Sequence, residues 1–156
     1  MRTILNRFFL ICFILFSFNT YAKTLPPTHV VKAYNAWCNA IGKARGNPTL
    51  VVKYYAPHAI LLPTLSDKIL FNEKNELNDY FANLTSYKNI HCVTKKLITV
   101  MNSDDFAMTA GFYNFVFIDK NGKNITLPAR FTFVYKKYND QWLIIQHHSS
   151  VLPTHH

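Results

Sequence analysis

From Ile90 to Val151 the apolar residues recur with a period of two, and turn pairs cut the stretch into strand-length runs. The runs cover residues 91–100, 105–118, 123–138 and 141–151, divided at Asn102-Ser103, Asn121-Gly122 and Asn139-Asp140. Short turns between long strands force antiparallel neighbours, so this half of the chain reads as a meander. Its last two runs are apolar on both faces. One face carries Phe131, Phe133, Tyr135, Trp142 and Ile144, and the other carries Val134, Leu143 and Ile145. A sheet covered on one side only leaves a polar outer face. Two apolar faces therefore call for two covers, and we expect the second to be another copy of the sheet, in a homodimer.

The first half supplies the other cover. Val30, Tyr34, Trp37, Cys38 and Ile41 recur at helical spacing behind Thr28, a capping residue. The stretch from Gly42 to Gly46 breaks that helix. Asn47-Pro48 opens a second, short one that runs through Tyr55 until Pro57 stops it. Ala59 to Leu62 reads as a buried strand closed by Pro63. Asn72 is expected to cap a third helix with Leu77, Tyr80, Phe81 and Leu84 on its apolar face. Helices followed by an antiparallel meander make an α+β domain.

Ahead of this domain, residues 1–22 have the parts of a secretory signal. Arg2 and Arg7 precede an apolar run from Phe8 to Phe16, and Thr20-Tyr21-Ala22 offers small residues for cleavage before Lys23. The run is shorter than the ~20 residues that span a bilayer. We therefore expect cleavage, a single domain over 23–156, a periplasmic or secreted location and no membrane span afterwards. Removing Arg2 and Arg7 from the 17 basic side chains leaves 15 against 8 acidic ones, a formal +7. The basic doublets Lys95-Lys96 and Lys136-Lys137 lie in strand runs, where neighbours face opposite ways. That is a solvated basic surface, and no nucleic-acid partner is expected. Cys12 leaves with the signal. Cys38 and Cys92 remain, and in an oxidising compartment they are either a disulfide or two buried thiols.

The order of these elements around Tyr55-Ala56-Pro57-His58-Ala59-Ile60-Leu61-Leu62-Pro63 resembles the nuclear-transport-factor-2-like superfamily, which includes ketosteroid isomerases and SnoaL-like polyketide cyclases. The C-terminal stretch is similar to two of its branches. It runs Ala129-Arg130-Phe131-Thr132-Phe133-Val134-Tyr135, then Trp142-Leu143-Ile144-Ile145-Gln146-His147-His148-Ser149-Ser150. The branches are the calcium/calmodulin-dependent kinase II association domains and the exported SgcJ/EcaC group. Leu62-Pro63-Thr64-Leu65 and Asp79-Tyr80-Phe81 extend the second match. The resemblance implies a cone, in which a strongly curved sheet wraps the helices around a cavity. It implies no single chemistry, because the fold hosts isomerases, cyclases, dehydratases and plain association modules. Ketosteroid isomerases carry a catalytic aspartate just before the proline of that segment. Leu62 stands there and cannot take a proton.

Counting across the turns as two-residue loops puts Tyr113 opposite Arg130, Arg130 opposite Ser149 and Thr132 opposite His147. Tyr113, Arg130, His147 and Ser149 then form one polar patch, which an extra loop residue would break. Cys92 falls opposite Tyr113, so a bond to Cys38 would put the patch on the helix-covered face. A guanidinium stays charged, so Arg130 is either the anchor of an anionic ligand there, the partner of an internal acid such as Asp79, or a residue at a sheet edge. Tyr34, Trp37 and Tyr55 would line the cavity, or simply fill it. His147 and His148 are acid–base candidates but point to opposite faces and cannot share a metal. With His58 also considered, no ligand spacing indicates a metal, and no cofactor is expected. Ser149 and Ser150 lack an orienting third group for a nucleophilic triad. The first reading is a small, partly apolar, anionic ligand held by Arg130, Tyr113, His147 and Ser149. The others are a lyase, isomerase or hydrolase using His147 or His148, and an association module.

Overall fold

The computed structural model describes residues 28–153, so the expected signal segment 1–22, residues 23–27 and the terminal residues 154–156 lie outside the described residues. Helix α1 (Thr28–Ala44) places Val30, Tyr34, Trp37, Cys38 and Ile41 on its buried face, as the 3.6-residue spacing requires. Helix α2 (Thr49–Val52) opens where Asn47 Oδ1 accepts the Thr49 amide at 3.2 Å. The remaining elements are β1 (Tyr55–Leu62), β2 (Leu70–Phe71), α3 (Glu76–Thr85), β3 (Lys88–Asn102), β4 (Phe106–Ile118), β5 (Asn124–Tyr138) and β6 (Gln141–Val151). They form one sheet in the order β2-β1-β6-β5-β4-β3. All its neighbours are antiparallel except β1 and β6, which run parallel. The fold is α+β, an unclosed sheet curved over the helices, as expected.

Local readings near Pro57 and Asn72 need correction. The second helix ends at Val52, and Pro57 lies inside β1 instead of ending a helix. It is tolerated because the β1–β6 register shifts between Tyr55 and Ile60, so the ladder does not need its missing N–H there. Asn72 opens a 3-10 turn, not α3, and its side-chain amide donates to the Ala56 carbonyl at 2.9 Å. Asn75, left-handed at φ 60°, then redirects the chain into α3.

Three bulges in β3 and one in the β5–β6 ladder bend the long strands. At Gly111 the curvature brings backbone onto backbone. A Cβ there would stand 1.9 Å from the Lys96 carbonyl oxygen, so only glycine fits. Behind the sheet, Cys38 on α1 is bonded to Cys92 on β3 across 54 residues of sequence. Trp37, Tyr34, Phe131, Phe133, Tyr113 and Tyr135 fill the interior and are essentially inaccessible to water. Among the described residues no helix is long and apolar enough to cross a membrane.

Replacing Cys38 and Cys92 together by alanine should cost about 4 kcal/mol of unfolding free energy, the chain-entropy value for a loop of this length. Urea denaturation reads the loss, and an unchanged midpoint would refute a structural role for the bond.

Candidate functional site

The loop between β4 and β5 decides which candidates meet. Asp119 Oδ1 accepts the amides of Asn121 at 2.9 Å and Lys123 at 2.8 Å, and the Asp119 amide donates to the Lys123 carbonyl. Gly122, at φ 79°, therefore serves as the left-handed third residue of a longer loop rather than half of a two-residue turn. The count moves by one, and Arg130 pairs with Phe112 while Tyr113 pairs with Ala129. On the other side, Asn139 and Asp140 do make the expected tight turn, with φ of 45° and 65°. A bulge between Val134 and Tyr135 nevertheless slips the ladder, so Phe133 lies opposite His147, Phe131 opposite Ser149 and Arg130 opposite Ser150. The β3–β4 turn is at Asp104-Asp105, since Ser103 and Phe106 bond to each other, and Cys92 faces Phe115 instead of Tyr113.

Both slips turn Arg130 away from Tyr113, His147 and Ser149. The expected four-residue patch is thus split between the two faces. Arg130 is exposed on the outer face, where its Nε donates to Ser150 Oγ at 2.9 Å, and it does not reach Asp79 or the interior. His148, opposite Thr132, shares that outer face. His58 is also exposed and is engaged by Glu73 at 2.8 Å. Among the described residues no three His, Cys, Asp or Glu side chains converge as a metal site.

Inside, six candidates come together: Tyr34, Trp37, Tyr55, Tyr113, His147 and Ser149. Trp37 Nε1 donates to the Tyr55 hydroxyl at 3.0 Å, and that hydroxyl lies 2.7 Å from His147 Nδ1. His147 Nδ1 is the acceptor the structure offers the Tyr55 O–H, so Tyr55 donates to it, which assigns the neutral imidazole its proton on Nε2. Nε2 is buried and has no hydrogen-bond partner. Burial holds the His147 pKa well below the usual 6.5, with His148 adding to the effect. The Tyr113 hydroxyl donates to Ser149 Oγ at 2.6 Å, and Ser149 in turn bonds Thr64 in the loop after β1. Thr64 is the interior contact the sequence reading missed, and only its place after the tyrosine-to-proline segment hinted at it. Tyr34 closes the group by bonding Thr94 at 3.0 Å.

The aromatic rings pack this space. Trp37 meets Phe133 edge-on at 4.8 Å, His147 meets Phe133 at 4.1 Å, and Tyr113 stacks on Phe131 at 4.9 Å. Among the described residues the interior holds no lysine, arginine or carboxylate, and its histidine resists protonation. A cleft of about 480 Å³ between α3 and the loop after β1, lined by Leu65, Lys68, Asp79 and Tyr80, includes none of the expected site residues.

Because His147 has a lowered folded-state pKa, the unfolded chain binds the proton that the native state refuses. Stability due to this group is complete above pH 6.5 and falls as the pH drops below it. The slope should reach at most about 1.4 kcal/mol per pH unit. Denaturation midpoints measured from pH 7 to pH 5 should show this decline, and His147→Gln should flatten it; equal slopes in the two proteins would refute the assignment.

Comparison with known proteins follows the architecture. The family described as calcium/calmodulin dependent protein kinase II association domain matches residues 27–153. A Xanthomonas campestris protein solved as such an association domain is 38% identical, covering 80% of this chain and 86% of its own at a TM-score of 0.72. The association domain of the C. elegans kinase is 13% identical, with coverages of 79% and 93% and a TM-score of 0.63. A nuclear-transport-factor-2-like superfamily protein from Salmonella enterica is 14% identical, with coverages of 81% and 91% and a TM-score of 0.69. No curated protein sequence matches the chain. The chain belongs to the calcium/calmodulin-dependent protein kinase II association-domain family, on a nuclear-transport-factor-2-like fold.

Proposed function

We propose that the protein is an exported association module that forms a homodimer through the outer face of its sheet. The observation that carries this reading is the apolar character of that face. Phe112 is 39% exposed and Ile98 45% exposed, and Met108, Ala110, Val116 and Val134 lie around them half-buried. Singly exposed apolar residues are ordinary, but a contiguous group on one face marks a contact. Four strands about 4.8 Å apart and roughly eleven residues long, at about 3.3 Å each, present on the order of 700 Å². That is close to the ~800 Å² each partner gives to a stable interface. Membership of an association-domain family supports the same reading. The bond between Cys38 and Cys92 and the signal-like residues 1–22 support export to a periplasmic or extracellular, oxidising setting.

A second reading is favoured by the unpartnered His147 Nε2. A small molecule entering beneath the Thr64 loop would offer it an acceptor and meet Tyr113 and Ser149. With Arg130 outside, this ligand is neutral and polar instead of anionic. The neutral His147 would serve there as a hydrogen-bond donor, and an acid–base role for it requires a ligand that reaches Nε2.

Light scattering at tens of micromolar protein should give the mass of a dimer. Phe112→Lys should give a monomer of unchanged circular dichroism, because it replaces an apolar contact with a cation on a face already basic. A wild-type monomer would sink the assembly reading and leave the interior one standing.

A further inference from the structure

The outer face that this reading makes an interface has an electrostatic problem. Strands β3, β4, β5 and β6 contain no aspartate or glutamate, yet they contain Lys88, Lys95, Lys96, Arg130, Lys136 and Lys137. The ladders set Lys96 opposite Phe112, Phe112 opposite Arg130 and Arg130 opposite Ser150, one row on one face. His148, two residues before Ser150 on the same strand and face, is a diagonal neighbour of Arg130. Lys137 is paired with Asp140 at the strand end, but whatever the direction of the twofold axis, two such faces brought together set the central row of cations against strands that carry no acid. Like charges in a drying contact repel strongly, and a guanidinium loses its hydration without gaining a partner. Ser150 occupies Nε of Arg130, and among the described residues nothing engages the two terminal nitrogens.

We propose that assembly is linked to a small oxyanion, which the face takes up as two copies close and which Arg130 grips through its free guanidinium nitrogens. The inference rests on the outer face being the interface. A forked pair of N–H donors matches two oxygens of a phosphate or carboxylate, and a spherical chloride engages the fork far less well. Lys96 is long enough to reach over Phe112 toward the same space, and His148 adds a ring N–H donor. The anion thus converts the row's charge from a barrier into a bridge. Dimerisation accordingly strengthens with oxyanion concentration, and by reciprocity the dimer holds the anion more tightly than the monomer does.

The test is sedimentation equilibrium on protein expressed from the full chain and purified from the compartment to which the host delivers it. Sodium chloride and inorganic phosphate buffers are matched in ionic strength and pH. The dimer dissociation constant should fall about tenfold or more in phosphate. Arg130→Gln should remove the difference between the buffers, whereas Lys123→Gln, which deletes a charge in the β4–β5 loop, should retain it. A dimer of equal strength in both buffers overturns the proposal while leaving the interface intact. A monomer in every buffer overturns the interface and the proposal together. Binding of monomers to phosphatidylglycerol vesicles, with no effect of inorganic phosphate on mass, also overturns it and reassigns the face to a membrane surface.

Discussion

Trp37 is the contact around which the cone is organised. It projects from α1 into the concave side of the sheet, meets Phe133 and His147 edge-on, and donates its one polar hydrogen to Tyr55. A buried indole contributes on the order of several kcal/mol through its apolar area alone. Its N–H occupies one lone pair of the Tyr55 hydroxyl, which also meets His147, while the burial that Trp37 helps to create keeps that histidine neutral. Packing and polarity of the interior meet at this one side chain. The disulfide from Cys38, the next residue on the helix, keeps α1 over β3 while Trp37 reaches β5 and β6.

Much of the architecture was legible in the sequence, because periodicity is a local property. The face of α1 from Val30 to Ile41 and the span of β6 follow directly from the apolar spacing. The family was legible too, through the motif running from Ala129 to Ser150. What stayed hidden was register. Asn121-Gly122 looks like a two-residue turn until the Asp119 carboxylate captures two amides and lengthens the loop. Period two turns that single residue into a change of face. The bulge by Val134 had no glycine or proline to announce it. Tyr113 nevertheless ended up on one face with His147 and Ser149, because the two one-residue slips add to a shift of two and period two restores the face.

The two sides of the sheet thus obey opposite chemical rules. The concave side tolerates hydroxyls and a neutral imidazole in a packed aromatic setting, where every polar atom but a few is matched. The convex side carries permanent charge of one sign among apolar residues. A reading that placed Arg130 inside would have given the interior an anion site. Its actual position moves the question of anions to the outer face of the sheet and leaves the interior to uncharged groups.

The strand order has a consequence for how the chain acquires its shape. β6 is the final strand in sequence, yet it lies between β1 and β5 and joins the early part of the sheet to the late part. Until residues 141–151 are available, β1 and β2 have no route into the rest of the sheet, and the meander exposes an unpaired inner edge. Pairing of β1 with β6 also closes a loop through nearly the whole domain, the kind of distant contact that slows folding. Loss of residues 141–151 would therefore remove a central stave of the cone and not a margin.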